Sequence, residues 1–555
     1  MALAFGACAT PHSSAVAATA PGVVSAADPR GAEAGAAMLR QGGTATDAAL
    51  ATLLALTVVE PQSSGIGGGG FLVHSDPRGE VDTFDGREEA PMAATPTWFY
   101  VDGKPMTIGE AIPGGRSVGV PGNIRMMALA HARHGKLPWK ALFQPAIKLA
   151  REGYILSPRG ARALNHESGS LSPEARKIYY QADGLPKSAG IRIVNPALAA
   201  ILEQLAERGA DSFYVGPNAR AIVAAVKSAP RNPAPMTAGD LAAYDAKERP
   251  PVCGTYRAYR ICGMGPPSSG GTTVFAILKQ LERFDLKSIG KDSPAAWHLI
   301  IESMRLAYAD REQYLADSDH VPVPVAGLID PAYLARRSAL ISPTSAMERV
   351  SAGTPAGAPT QFAPAFPQAE HGTSHFVATD AQGNVASLTS TIESAFGSGL
   401  MVNGYYLNNE LTDFNIVPDR DGRPTANRVE GGKRPRSSMS PTIVFAPDGK
   451  VRLAVGAAGG ATIIAQVAKA IIAVIDWDLS AQAAIALPAI YAPGGSTVFI
   501  ERGTSHEAMI PALQALGHSD VRLRGPSFKA NAIEWDGRRW IGAADPRSEG
   551  AAVQE

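Results

Sequence analysis

At 555 residues and 57.7 kDa the chain is long enough for two to four domains, or for one large intertwined fold with a sizeable core. Its 51 basic and 51 acidic side chains cancel, so neither nucleic acid nor an acidic membrane surface is called for as a partner. The longest apolar run, 48–59, is too short for a bilayer span and is interrupted by Thr52 and Thr57, so it reads as a buried helix.

Residues 1–25 read as a trimmed export remnant or a disordered N-terminus. The stretch from Met1 to Cys8 is apolar without a basic flank, 14–20 is alanine-rich, and Phe5-Gly6-Ala7-Cys8 is weakly lipoprotein-like. Cys8, Cys253 and Cys262 lack CxxC spacing and form no metal framework. Cys253 and Cys262 read as two buried thiols, with pairing across a hairpin as the alternative. Helices are predicted over 32–40, closed by Gly42-Gly43, and from a cap near Thr46-Asp47 to Glu60-Pro61. The glycine-rich stretch that follows contains GxGxxG at Gly65, Gly67 and Gly70. A dinucleotide fingerprint needs a strand before it and a helix after it, and here the order is reversed. The glycines instead let the backbone pack against another segment or line a pocket.

Asp85-Gly86-Arg87-Glu88-Glu89-Ala90-Pro91 ends the next strand in a loop, where the fork of Arg87 suits a carboxylate. Helical signals occupy 122–134 and 137–152. Residues 254–261 alternate like one strand and lead through a Gly-Pro-Ser corner into a helix over 273–281. Ser293-Pro294 caps and starts a long helix to about 315. HExxH, Walker and zinc-spaced motifs are all missing from the sequence, which leaves metallohydrolase chemistry unsupported.

Residues 351–369 have linker composition, and from Ser374 the pattern changes to strand, turn at 380–384, strand. Thr373 therefore stands where a linker enters a sheet. Cleavage between Gly372 and Thr373 would give Thr373 a hydroxyl nucleophile and a free α-amine of pKa about 7.7–8.0, able to serve as its general base. Thr389-Ser390-Thr391-Ile392-Glu393 ends the second strand. Blocks at 407–414 and 432–441 follow, then strands over 442–445 and 452–455. Gly459-Gly460 then separates strand from helix 463–475, presenting N–H groups at a positive helix end, as an oxyanion requires.

In this order the blocks resemble the γ-glutamyltranspeptidase family of N-terminal-nucleophile hydrolases, from the glycine-rich segment to Asp545-Pro546-Arg547-Ser548. The resemblance implies an α+β fold, a four-layer αββα sandwich built from both products of self-cleavage. These are a large subunit, 26–372, and a small catalytic one, 373–555. It implies Thr373 as nucleophile and base, Thr391 as its orienting partner, and Gly459 and Gly460 as the oxyanion hole. Arg87, Ser437 and Ser438 would hold the α-carboxylate of a γ-glutamyl donor such as glutathione, and Glu410 and Asp413 its α-ammonium. Water or an amino acid or peptide would accept the acyl group. No cofactor or metal is implied, and the family habit implies a periplasmic or secreted location.

Two departures bear on specificity. Glu393 stands where the family commonly has asparagine, which puts a third acid near the ammonium. The segment 415–432 looks shorter than the family's lid and lacks its aromatic residue, so an open, mobile cover is expected. A glutaryl-type cephalosporin acylase of the same fold is one alternative reading, and an uncleaved, non-enzymatic scaffold is another.

Overall fold

The structure, a computed structural model, describes residues 20–365, 372–525 and 529–555. Helix Ala45–Val59 is buried along its whole length; its apolar residues lie all round it, and the hydroxyls of Thr52 and Thr57 donate back to Ala48 O and Leu53 O. Its cap is Thr44 rather than Thr46: the Thr44 side chain accepts from Asp47 N–H while the Asp47 carboxylate takes the Thr44 N–H, a reciprocal capping box. Helices Pro29–Arg40 and Trp139–Glu152 flank it.

Beneath these helices lies a seven-stranded antiparallel sheet. In spatial order it runs Ala551–Gln554, Val23–Ala26, Ser374–Thr379, Val385–Thr391, Gly69–Ser75, Val81–Gly86 and Lys247–Arg249. A second, six-stranded antiparallel sheet runs Trp540–Ala544, Lys529–Trp535, Val451–Ala458, Thr442–Phe445, Tyr259–Gly263 and Val252–Tyr256. Strand alternation sorts the first sheet's side chains: Leu72, Phe84, Phe376 and Ala378 join the core under the helices. Phe71, Val73 and Val377 join the core shared with the second sheet. A cross-sheet bond from Asn531 Nδ2 to His375 O, 2.9 Å, ties the two at the middle. Helices Gly270–Leu281, Pro294–Tyr314 and Thr462–Ile475 contribute to that second core.

The glycine-rich segment packs as its composition predicts. A Cβ on Gly68 would lie 1.9 Å from the Thr391 carbonyl oxygen, so only glycine lets this backbone lie beside the end of the Val385–Thr391 strand.

Both sheets mix residues from either side of Gly372. Val23–Ala26 lies between Ala551–Gln554 and Ser374–Thr379, and Tyr259–Gly263 pairs with Thr442–Phe445. The N-terminal boundary at 25 is thereby corrected, because residues 23–26 form a buried strand and belong to the folded body. Residues 1–19, with Cys8 and the alanine-rich stretch, lie outside the described residues, as does His371.

The single strand predicted over 254–261 is a hairpin. Arg257 and Ala258 take φ of 49° and 69° and turn the chain, and the Arg257 guanidinium is held by Asp476 at 3.0 Å. The turn places Cys253 directly opposite Cys262, Cα atoms 4.2 Å apart, and the two form a disulfide rather than a pair of thiols. A spacing of nine residues does not announce a hairpin when its turn contains neither Gly nor Asn. Reduction, or Cys253→Ser with Cys262→Ser, should lower unfolding stability by roughly 2 kcal/mol. Denaturant unfolding of native and reduced protein checks this, and no difference would mean that the bond adds nothing to the hairpin.

Candidate active site

Thr373 is the first residue before the central strand Ser374–Thr379, and it sits at φ +86°, where a β-branched side chain is strained. Three other segments hold it there. Its N–H donates to Ser63 O at 3.3 Å, at the end of the buried helix, and its hydroxyl donates to Thr391 Oγ1 at 3.2 Å on the neighbouring strand. The carbonyl of Gly372, on the other side of the peptide bond, accepts the N–H of Gly459 at 3.2 Å. Gly459 and Gly460 adopt φ of 123° and 59°, which aims backbone N–H groups from the corner between Val451–Ala458 and the helix Thr462–Ile475. Gly372 is itself at φ +78°, and a Cβ there would fall 1.5 Å from Glu393 O.

Thr373, Thr391, Gly460, Arg87, Glu393, Glu410, Asp413, Ser437 and Ser438 line one small cavity, with Met439 and Ile463 completing its wall. It offers about 10 Å³ to the centre of a water-sized sphere, room for about one water.

Charge dominates one wall. Arg87 is fully buried, and its guanidinium pairs with both Glu410 and Asp413 while also donating to Pro435 O and Arg436 O at 3.0 Å each. The sequence reading gives Arg87 and the two acids to opposite ends of a ligand; in the structure they are bonded to one another. Glu88 joins them, buried and 3.9 Å from Arg87. Burial drives Glu88 up to about 7 against the pull of Arg87, and drives Glu410 well above the ordinary carboxylate range with it. Glu393, at φ +71°, gives its N–H to Thr391 Oγ1 at 2.8 Å, and its carboxylate accepts from Ser394 Oγ and Asn409. Three carboxyl groups thus face one guanidinium, and Glu393 adds a fourth to the lining of the same cavity.

The opposite wall is Ser437-Ser438. Arg311, near the end of the long helix, donates to Ser438 Oγ at 2.6 Å and to Ser269 Oγ at 2.8 Å. Ser269 in turn donates to Ser437 O at 2.6 Å, and Ser268 Oγ to Met439 O at 2.7 Å. The Gly-Pro-Ser corner is therefore the scaffold of the serine pair. Sequence reasoning passed over Glu88, although it adjoins Arg87, and Arg311, whose only signal was a cation late in a largely apolar helix.

The segment 415–432 is packed rather than open. It contains a small hairpin, Asp419–Arg420 with Arg423–Pro424, and buries Thr425, Ala426, Asn427 and Val429. Asn427 donates to Asp413 O at 2.7 Å and accepts from Arg436 N at 2.9 Å, fixing the segment to the site's back wall. Among the described residues, His74, Asp82 and His134 form a cluster of ligand-type side chains apart from this cavity. The two imidazoles are stacked 3.7 Å apart at 14°, so their ring planes do not converge on one ion.

The profile of the Gamma-glutamyltranspeptidase family matches residues 31–555. The chain is 36% identical to the glutathione hydrolase proenzyme of Bacillus subtilis (strain 168), covering 96% of this chain and 91% of that protein. It is 34% identical to the acylase ACY 1 proenzyme of Pseudomonas sp. (strain SE83), over 96% and 93% of the two. The crystal structure of a cephalosporin acylase from Bacillus halodurans superposes with a TM-score of 0.84 at 25% identity, covering 100% of this chain and 99% of that one.

Replacing Arg87 by Leu leaves buried carboxylates without their cation and should cost about 3–5 kcal/mol of unfolding stability. Protonation relieves that penalty, so the deficit should be smaller at pH 5 than at pH 8. Paired denaturant curves at the two pH values test this, and an equal deficit at both would show that the loss is one of packing.

Proposed function

Since the chain belongs to the γ-glutamyltranspeptidase family, we propose that it is a self-cleaving enzyme that removes γ-glutamyl groups from amides such as glutathione. It passes them to water or to an amino acid or peptide. The observation that carries this reading is the setting of Thr373. Its hydroxyl is oriented by Thr391, and the carbonyl of its own upstream peptide bond rests on Gly459 N–H.

In the first step Thr373 Oγ attacks the Gly372 carbonyl carbon, the oxyanion forms at Gly459 and Gly460, and the amide nitrogen leaves as the Thr373 amine. Water then hydrolyses the resulting ester, giving a Gly372 carboxylate and a free N-terminal threonine. Interleaved strands hold the large and small subunits together after the cut. We read the layer order as αββα, helices outside two facing sheets, supported by the division of the two cores.

In turnover the donor's γ-carbonyl takes the place of Gly372's at the glycine pair. Thr373 forms a γ-glutamyl ester, its amine shuttling the proton, and water or an amine resolves it. The Arg87 cluster explains donor selection as an exchange of ion pairs. The donor's carboxylate replaces the acids on Arg87, with Ser437 and Ser438 as further donors, while its ammonium takes over Glu410, Asp413 and Glu393. Every buried charge then keeps a partner. A glutaryl donor, the acylase alternative that the similar proteins keep open, has no ammonium and leaves the carboxyl groups unsatisfied. The disulfide supports an oxidising location such as the periplasm or the exterior. Among the described residues no helix is long and apolar enough to cross a membrane.

On a denaturing gel with intact mass, wild type should give two chains meeting at Gly372-Thr373, and Thr373→Ala one uncut chain without activity. Wild type should release a γ-glutamyl anilide at least tenfold faster than a glutaryl anilide. A glutaryl preference would transfer the assignment to the acylase, and an uncut, inactive wild type would leave a scaffold. Gly372→Ala, whose methyl collides with Glu393 O, should slow self-cleavage by at least 100-fold, followed by the same gel over time.

A further inference from the structure

Beside the nucleophile, and not among the residues that line the cavity, a buried ammonium enters from the opposite sheet. Lys529 begins the strand Lys529–Trp535, and its Nζ donates to Glu60 Oε2 at 2.8 Å, Ser374 Oγ at 3.1 Å and Ser63 Oγ at 3.4 Å. Each partner belongs to a segment that grips Thr373. Ser374 follows it in the chain and donates its own hydroxyl to Glu60 Oε2 at 2.8 Å. Ser63 supplies the carbonyl that accepts both Thr373 N–H and Ile392 N–H, at 3.3 Å each. Glu60 ends the fully buried helix, and Arg159 stands 3.7 Å from its other oxygen.

Resting on the self-cleavage reading above, we propose that Lys529 and Glu60 are a positioning pair for the amine that scission frees on Thr373. The pair fixes the Ser63 acceptor and sets the charge balance that keeps this amine an unprotonated base near neutrality. One amine proton stays on Ser63 O, which directs the lone pair toward the Thr373 hydroxyl. The Lys529 cation, one serine away along two routes, disfavours a second positive charge, and Glu60 opposes it. Burial lowers Lys529 to about 8 with Glu60 pulling the other way. Glu60 is kept below the ordinary carboxylate range because Lys529 and Arg159 outweigh its burial. The other charged groups around Thr373 are Glu393 and, across the cavity, Arg87 with Glu88, Glu410 and Asp413, and the test leaves all of them untouched.

The two partners act on the amine with opposite sign. Lys529→Met removes the cation and leaves Glu60 to favour the ammonium, so the acidic limb of kcat against pH moves up. Glu60→Gln leaves the cation unopposed, so the limb moves down. Each shift should be roughly half a pH unit or more. Lys529→Arg keeps the charge and should leave the limb where wild type has it. The experiment measures kcat against pH with saturating γ-glutamyl anilide, on proteins first shown by gel and intact mass to be cut before Thr373. Opposite shifts with the arginine variant unmoved sustain the proposal. Shifts of one sign, or none in cleaved variants, overturn it and leave a structural tie. If Lys529→Met does not mature, Glu60→Gln and Lys529→Arg decide it: a Glu60→Gln limb that fails to move down overturns it. An uncut wild type would instead remove the self-cleavage reading beneath it.

Discussion

The whole site depends on holding one β-branched residue in a backbone conformation it does not choose. A positive φ at a threonine costs on the order of 1–3 kcal/mol and persists only where surrounding contacts over-determine it. Here those contacts come from the end of a buried helix, a neighbouring strand and a glycine corner 86 residues downstream, Thr373 to Gly459. None of the three is local in sequence. Two long antiparallel sheets with rigid edges are what bring them within hydrogen-bond range and keep them there. The scission proposed above would also remove the very torsion that carries the strain, since φ does not exist at an N-terminal residue.

Electrostatics supplies the second constraint. An isolated charge in this interior would be costly to desolvate, and three carboxyl groups around one guanidinium are more than it can neutralise. The site answers by pairing Arg87 with Glu410 and Asp413, while burial pushes Glu88 and Glu410 above the ordinary carboxylate range, toward their neutral forms. On the proposed function, that closed ion pair is what a zwitterionic donor opens. On that proposal the same surplus of acid disfavours a ligand that carries a carboxylate alone.

Much of this was legible in the sequence because its signals are short-range. The strand, turn, strand after Ser374, the glycine run that must approach another backbone, and the Gly-Gly corner before a helix are each written within a dozen residues. The candidate residues for Thr373, Thr391, the acids, Arg87 and the serine pair converge on one cavity. What the sequence hid was pairing over distance or through unusual turns. The Cys253–Cys262 hairpin reverses at Arg257-Ala258, residues with no turn signature, so alternation read straight through it. The short segment after Asp413 has loop composition, yet Asn427 satisfies two backbone groups at once and holds it down. Lys529 carries no local signal at all, because its meaning lies in three partners drawn from two distant stretches of chain.

The interleaving of the sheets has a consequence for how such a molecule ages. Before the cut, every strand is tethered to every other, and folding is a first-order search by one chain. After the proposed cut Val23–Ala26 would be wedged between two strands of a different molecule, and Tyr259–Gly263 would border a third. Neither product can close its own sheet without the other. Recovery from unfolding then becomes a second-order encounter between two incomplete chains, each exposing unpaired strand edges. A protein cut in that way would be sustained by slow unfolding rather than by ready return, and its lifetime would be a rate, not an equilibrium.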